Sequence, residues 1–183
     1  MGRRNSATRR YSRSCVFAAH RRRRSRPLES QTSSDASGAI EGELRRRGVA
    51  ADELSVAINR VVEALARTLD DERGRWALDA HSQAKSEWRL SGVMADEIVN
   101  VAIDRTFVDQ EGVRWIIDFK TGGHEGGDVA AFLDSEQQRY RHQLEKYAAL
   151  LQLLPGDSVP SATRLGLYFP QLKGWREWEW QML

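Results

Sequence analysis

The chain has 183 residues, with 28 Lys and Arg against 26 Asp and Glu, and a formal net charge of +2. This length suffices for one domain with its own buried core, without disulfide support. A single cysteine, Cys15, excludes an internal disulfide and a multi-cysteine zinc site and suits a reducing compartment. No apolar run approaches the roughly 20 residues of a membrane span, and no signal-peptide pattern is present. We therefore expect a cytoplasmic protein that has no membrane partner.

The charge is distributed unevenly between the two ends of the sequence. Residues 1–37 carry ten arginines against Glu29 and Asp35, a net charge of +8, which leaves −6 for the remainder. Because residues 1–37 show no helical or strand periodicity, we predict a disordered Arg/Ser-rich leader there and one folded domain over 38–183. The leader is either a basic arm that binds phosphate backbones or a non-native extension. The basic pI thus gives no argument that the folded part binds nucleic acid.

The first predicted element of the folded part is an amphipathic helix over residues 52–69. Asp52 is its predicted N-cap, and Arg73-Gly74 is its predicted stop. Its apolar positions have the spacing of one buried helical face: Leu54, Ala57, Ile58, Val61, Val62, Leu65, Ala66 and Leu69.

Three predicted strands follow, at about 85–90, 97–107 and 113–119. Asp109–Gly112 forms a turn between the last two, so we predict an antiparallel meander. In the middle strand Ala102 and Asp104 lie on one face and Ile103 on the other. We expect Asp104 near the exit of that strand, close to the hairpin.

A second helix is predicted over residues 134–154, followed by a strand at 165–169. Asp134 is the predicted N-cap, and Pro155-Gly156 ends the helix. The strand is uniformly apolar, which is typical of a strand buried on both faces. The predicted order is helix, three strands, helix, strand, an α/β fold.

Three tryptophans near the end of the sequence, Trp175, Trp178 and Trp180, alternate with charged residues. Base stacking on a nucleic acid is one interpretation. The acidic neighbours Glu177 and Glu179 favour packing in a core or interface instead.

The most informative pattern is Asp118-Phe119-Lys120 at the end of the third strand. Successive strand side chains point to opposite faces, so Asp118 and Lys120 share one face while Phe119 takes the other. A carboxylate and an ammonium therefore project together at the rim of a sheet. With Asp104 on the preceding strand, the pattern provides two carboxylates and one amine.

These groups suit metal-dependent cleavage of a phosphodiester. Mg²⁺ prefers hard oxygen ligands and typically takes one or two protein carboxylates, here Asp104 and Asp118. The metal offsets their repulsion and lowers the pKa of a bound water. Lys120 can orient or deprotonate that water, or neutralise the pentavalent phosphorus, whereas an Arg stays charged at any working pH.

Further polar residues support this interpretation. Glu87 lies on the first strand, and Gln143 and Tyr147 lie four residues apart on the second helix, so they leave it on one face. That pair can hold a metal-bound carboxylate or a phosphate in register. Each residue also has a simpler interpretation: Glu87 as an exposed carboxylate, Asp104 as a partner of Arg105 or a cap of the turn, and Tyr147 as a core aromatic.

The combination resembles the RecB-type branch of the PD-(D/E)XK nucleases, found in RecB and AddA helicase-nucleases. The resemblance covers roughly Asp52 to Phe169 and rests on four segments: Glu87, Val101–Arg105, Ile117–Thr121 and Gln143–Tyr147. It implies a restriction-endonuclease-like core and a DNA exonuclease that uses Mg²⁺, or Mn²⁺, and acts with a helicase on single-stranded ends in repair or recombination. Asp104 and Asp118 match the metal ligands, Lys120 the catalytic lysine, and Glu87, Gln143 and Tyr147 the supporting positions. The alternative is a catalytically inactive module of this fold that binds DNA or a helicase.

One feature departs from the family pattern, which has a His in a Gly-x-x-x-His setting on an early helix. The predicted helix 52–69 has no His, and His20, His81 and His124 do not fit the position. We therefore expect this chain to be a C-terminal fragment of a larger enzyme. It has no Gly-x-x-x-x-Gly-Lys-Ser/Thr loop, so any helicase motor is on another segment or subunit.

Overall fold

A computed structural model describes residues 32–94, 96–124, 126–154 and 162–181, with side chains from residue 37 onward. In this part of the chain, helices cover both faces of one five-stranded mixed sheet. The elements in chain order are α1 (Thr32–Arg46), α2 (Leu54–Asp70), α3 (Glu72–Leu78), β1 (Ser82–Met94), β2 (Glu97–Val108), β3 (Val113–Phe119), α4 (Val129–Gln152), β4 (Ala162–Phe169), a 3-10 turn (Pro170–Leu172) and β5 (Gly174–Trp180).

The sheet has the order β1-β2-β3-β4-β5. β1, β2 and β3 form the predicted antiparallel meander. β4 pairs in parallel with β3 after the α4 crossover, and β5 pairs antiparallel with β4. β3 is thus the central strand, and its last residues lie where α4 crosses the sheet.

Each face of the sheet has its own core. The face covered by α2 and α3, called here the helix-hairpin face, packs a cluster that includes Trp115, Ile117, Phe119 and Tyr168. The opposite face, called the α4 face, packs a cluster with Ile116. Its other members are Ile103, Leu133, Leu144, Tyr147, Ala148, Leu165, Leu167, Phe169 and Trp178. Strict alternation along β3 therefore supplies both cores.

The predicted bounds of β3 are correct, and β2 is one residue longer than predicted. The apolar run 165–169 is buried within β4, as expected. β1 extends well beyond the predicted 85–90, because polar residues are tolerated on an edge strand whose positions are mostly half-exposed. The predicted elements occur in the predicted order, with further elements beside them, and the chain has the α/β, restriction-endonuclease-like fold.

Two predicted features of the first helix are wrong. α2 begins at Leu54 after Glu53, which makes no side-chain cap hydrogen bond, so Asp52 is not the cap. The predicted stop at Arg73-Gly74 is also wrong, because α2 ends at Asp70 and Arg73-Gly74 lies within α3. Asp71 accepts a hydrogen bond from the Gly74 amide at 2.9 Å and starts the short helix α3.

α4 begins earlier than predicted. Asp128 is the N-cap and accepts a hydrogen bond from the Ala131 amide at 2.9 Å. Asp134 lies one turn inside the helix and accepts from Arg176 Nε at 2.6 Å. The helix ends at Gln152, and the predicted terminator Pro155-Gly156 lies outside the described residues.

α1, α3 and β5 are absent from the predicted elements. α1 begins at Thr32, so the predicted boundary at 37/38 falls inside a helix, whereas the leader over 1–31 lies outside the described residues. β5 places Trp175 against the helix-hairpin cluster and Trp178 and Trp180 against the α4 cluster, so the three tryptophans are packing residues. Of the helices in the described segments, none combines the length and apolar character needed to cross a membrane.

Candidate active site

A cavity of about 530 Å³ opens on the α4 face at the end of β3. Five of the six predicted site residues line it: Glu87, Asp104, Asp118, Lys120 and Tyr147. The remaining wall comes from the loop after β3 and from α4. Residues predicted from four separate segments of sequence therefore meet at one place.

Asp118 and Lys120 form the floor of the cavity. Their side chains are only 2 % and 3 % exposed, and Lys120 Nζ lies 2.5 Å from Asp118 Oδ2. Phe119, between them, packs on the other face with its ring edge-on to Tyr168. The Lys120 amide donates to the Tyr168 carbonyl at 2.8 Å, which extends the β3–β4 ladder and fixes the backbone of Lys120.

Asp104 reaches the same cavity from β2. Its carboxylate is buried, and Oδ2 accepts a hydrogen bond from the Phe119 amide at 3.0 Å. The strand continues to Val108, so Asp104 lies four residues before the end of β2 and not at its exit. Arg105 points away and donates to the carbonyls of Ala77 and Asp79, so it does not pair with Asp104.

Glu87 lies on β1 across from Asp104, between the paired positions Ser86–Arg105 and Trp88–Ile103. Its φ of 51° is in the left-handed region, which a residue with a Cβ adopts at a cost of roughly 1–2 kcal/mol. A second positive φ at Gln83 accompanies a register shift at the start of β1. The irregular strand directs the Glu87 carboxyl group to the cavity.

Gln143 and Tyr147 meet on one face of α4, as their spacing predicts. Gln143 Nε2 donates to the Tyr147 hydroxyl oxygen at 2.6 Å. Tyr147 is buried and lines the cavity, whereas Gln143 supports it from the next turn of the helix. Of this pair, Tyr147 is therefore the residue that contacts the cavity.

Six charged or aromatic residues of the cavity wall are absent from the predicted site: Arg89, Phe132, Glu136, Arg139, Tyr140 and Phe169. Lys120 Nζ lies 3.3 Å from the centroid of the Tyr140 ring. Arg139 Nη1 lies 3.2 Å from Glu136 Oε1, and this hydrogen bond raises the pKa of Arg139. The spacing of Glu136, Tyr140 and Tyr147 at helical intervals is the sequence signal that extends the Gln143–Tyr147 face.

The buried charges of the floor do not balance. Asp104 and Asp118 oppose one ammonium, Lys120, so the floor of the cavity carries one more acidic than basic side chain. Burial of such a charge is costly unless a cation or hydrogen-bond donors offset it. Within the described segments, no group of three or more His, Cys, Asp and Glu side chains could by itself hold a metal ion. The carboxylates that line the cavity are those of Glu87, Asp104, Asp118 and Glu136.

The histidines of the described segments do not occupy the position expected from the resemblance. His81 Nε2 lies 2.7 Å from the Trp76 carbonyl oxygen, and its ring stacks on Phe107. His124 stacks on Phe132, whose side chain lines the cavity, and His142 is on the exposed side of α4. α1, which the sequence prediction did not contain, has no His either. His20 lies outside the described residues.

A mixed sheet with a parallel β3–β4 crossover, and with Asp and Lys side chains at the end of the central strand, defines the class of restriction-endonuclease-like proteins. The profile of the PD-(D/E)XK nuclease superfamily matches residues 10–179, and the chain belongs to this superfamily. The match begins inside the Arg/Ser-rich segment. A comparison with curated proteins finds no significant match. Membership indicates nuclease activity, and nucleases of this superfamily typically use divalent metal ions.

Proposed function

We propose that the chain is a Mg²⁺-dependent deoxyribonuclease whose active site is Asp104, Asp118 and Lys120. The observation that carries the proposal is the convergence of two buried carboxylates and one buried ammonium on a single cavity. Tyr147, held by Gln143, and Glu87 complete the wall as supporting residues. Apolar side chains would pack this position better than three charged ones, so packing does not explain why these charges are buried.

The donor set fits Mg²⁺. Asp104 and Asp118 offer hard carboxylate oxygens in the number that Mg²⁺ takes from proteins, and the cavity has room for water and a phosphate group. The excess negative charge of the floor favours a divalent cation there. When bound, the ion would polarise the scissile phosphate and acidify a water molecule. Mn²⁺ has the same ligand preference and is expected to substitute.

The chain's own residues then have distinct tasks. Asp104 ties β2 to the end of β3 through the Phe119 amide, which keeps the two carboxylates on one wall. Lys120 directs its amino group to the cavity, where the ammonium form can donate to a phosphate oxygen and the neutral amine form can take a proton from the attacking water. Arg89 and Arg139 line the same cavity and can neutralise flanking phosphates.

We further propose single-stranded DNA ends as the substrate and a helicase as the partner, in double-strand break repair or recombination in the cytoplasm. The Gln143-x-x-x-Tyr147 pair on α4 supports this, because it matches the helical motif of RecB- and AddA-type nucleases. The partly exposed aromatic side chains of the wall, Phe132 and Tyr140, are suited to contact with unpaired bases. The cytoplasmic assignment rests on the cysteine content alone.

The test is cleavage by the purified chain of end-labelled linear single strands, blunt duplexes and circular single strands, in Mg²⁺, Mn²⁺ or EDTA. We expect metal-dependent cleavage of the linear single strand, little cleavage of the circle, and loss of cleavage in Asp104→Asn. Binding of DNA without cleavage in any metal would favour the inactive module instead. Cleavage that persists in EDTA would contradict the proposal.

A further inference from the structure

We infer that Tyr140 is a positioning residue for Lys120, and that its ring holds the ammonium of that lysine against the cavity. The inference rests on the proposed function, since it assigns a task to a residue of the same site. Neither Tyr140 nor its contact with Lys120 belongs to the motif by which the sequence resembles a nuclease. The assignment comes from the geometry alone.

The contact is close and well shielded from water. Lys120 Nζ lies 3.3 Å from the Tyr140 ring centroid, well inside the roughly 6 Å at which a ring face attracts a cation. The lysine side chain is only 3 % exposed, and the attraction strengthens when the cation is desolvated. The ammonium is therefore held between two groups, the Asp118 carboxylate and the Tyr140 ring.

The two partners of the ammonium differ in whether they use an oxygen of Asp118. An ion pair occupies an oxygen of Asp118, and the same carboxylate is a proposed metal ligand. A ring face attracts the ammonium without using any carboxylate oxygen. Tyr140 thus restricts a flexible four-carbon side chain without taking any oxygen of Asp118 beyond the one that pairs with Lys120.

Tyr140 is itself held in place by its helix. It packs against the α4-face cluster as a partly buried member, and Arg139 Cζ lies 5.3 Å from its ring centroid. One turn earlier, Gln137 Nε2 donates to the Glu177 carbonyl at 3.3 Å, which ties the helix to β5. The ring is therefore a fixed surface, as a positioning role requires.

NMR of the metal-free chain tests the contact directly. The chain has four lysines, Lys85, Lys120, Lys146 and Lys173, so ¹³C labelling at the lysine Cε gives a simple spectrum in which Lys120→Met identifies the Lys120 signal. We expect the Lys120 Hε signals upfield of those of Lys146 and Lys173 because of the ring current. Tyr140→Leu removes that shift, and Tyr140→Phe keeps it.

A matched control exists in β1. Lys85 Nζ lies 3.4 Å from the Trp88 ring centroid, an exposed contact of the same kind. Trp88→Leu is expected to move the Lys85 signals and to leave those of Lys120 in place. This separates loss of one ring contact from a general change in the fold.

Steady-state kinetics of DNA cleavage give the second readout. Tyr140→Leu should lower kcat roughly 3- to 30-fold with little change in KM, the factor that loss of a buried cation–π contact implies, and Tyr140→Phe should restore kcat. An unshifted Lys120 signal in Tyr140→Leu, an unchanged kcat, or a Tyr140→Phe variant as slow as Tyr140→Leu would each overturn the inference. If the wild-type chain cuts no DNA, the proposed function fails, whereas the NMR comparison still decides whether Tyr140 holds Lys120.

Discussion

The two faces of the sheet use the same central strand for different purposes. On the helix-hairpin face, Trp115, Ile117 and Phe119 enter a closed aromatic cluster. On the α4 face, Ile116 enters the core but the next position, Asp118, is a buried charge beside a cavity. Alternation along β3 thus lets one face stabilise the fold while the other carries the charges.

The helix-hairpin face is built from ring contacts. The Trp76 ring packs edge-on against Phe107 at 5.1 Å and against Trp115 at 4.9 Å between centroids. Such pairs add about 0.5–1.5 kcal/mol each beyond the area they bury. Gly74 lets the end of α2, α3 and Tyr168 approach closely, since a Cβ there would overlap the Thr68 carbonyl oxygen.

The buried charges of the α4 face are expected to lower the stability of the fold. Two carboxylates and one ammonium are buried there, and a buried ion pair of this kind often stabilises less than apolar side chains of the same volume. The opposite face offsets that deficit. We therefore expect substitutions on the α4 face to alter turnover first and substitutions on the helix-hairpin face to alter stability first.

The largest effect on turnover is expected from Lys120→Met. If Lys120 takes or delivers a proton, single-turnover cleavage should fall about 10²- to 10⁴-fold. Lys173→Met is the matched control, because Lys173 is an exposed lysine that pairs with Asp70 away from the cavity, and its turnover should match that of the wild type. Equal loss of turnover in both variants would show that the cavity is not the site.

A smaller loss is expected from Gln143→Leu. Removal of the amide leaves the Tyr147 hydroxyl without its 2.6 Å donor, and supporting residues of metal sites typically contribute 10- to 100-fold to activity or metal affinity. Gln138→Leu, on the exposed side of the same helix, should change neither. Wild-type activity and metal affinity in Gln143→Leu would restrict the site to the floor of the cavity.

The stability of the helix-hairpin face is tested by a pair of glycines. Gly74→Ala places a methyl group against the Thr68 carbonyl oxygen and 2.6 Å from the Tyr168 hydroxyl oxygen, and should lower the free energy of unfolding by about 1–3 kcal/mol. Gly42→Ala meets open space within α1 and should raise it by about 0.5–1 kcal/mol. Urea unfolding measures both. A Gly74→Ala variant as stable as the wild type would show that this face is less tightly packed than its contacts indicate.

The smallest effect concerns alkaline pH. Burial, with a further contribution from Asp71, raises the pKa of Tyr168 above its ordinary value. The folded chain thus keeps a proton that the unfolded chain releases, so the stability from this group is complete below about pH 10 and decreases as pH rises. The expected slope is at most about 1.4 kcal/mol per pH unit. Tyr168→Phe should remove this decrease. Identical alkaline unfolding curves for the variant and the wild type would exclude a contribution of Tyr168.

Much of the site could be predicted because its residues follow local periodicity. Asp118 and Lys120 share a face by strand alternation, and Gln143 and Tyr147 by helical spacing. Tyr140 and Arg139 were missed because their role depends on how α4 crosses the end of β3, which brings residue 140 to residue 120. No local pattern encodes that crossing.

The missed elements have equally physical reasons. α1 has two glycines, and Ile40 and Leu44 are the two buried apolar residues among its positions with described side chains, so it lacks a strong periodic stripe and depends on packing against α2. β5 mixes tryptophans with charged residues because each of its two faces packs against a core at some positions and is at least partly exposed to solvent at others. In both cases tertiary contacts decide the structure where sequence periodicity is weak.

Adjacent substitutions on β3 test most directly whether the two faces divide stability from chemistry. Asp118→Asn and Phe119→Leu alter neighbouring residues that face opposite sides, and cleavage of linear single-stranded DNA is compared per folded molecule with the thermal midpoint. We expect Asp118→Asn to remain folded and lose cleavage, and Phe119→Leu to keep its rate while its Tm falls by about 2–4 °C for each kcal/mol lost. A folded Asp118→Asn variant that cuts DNA at the wild-type rate would contradict the assignment of the active site.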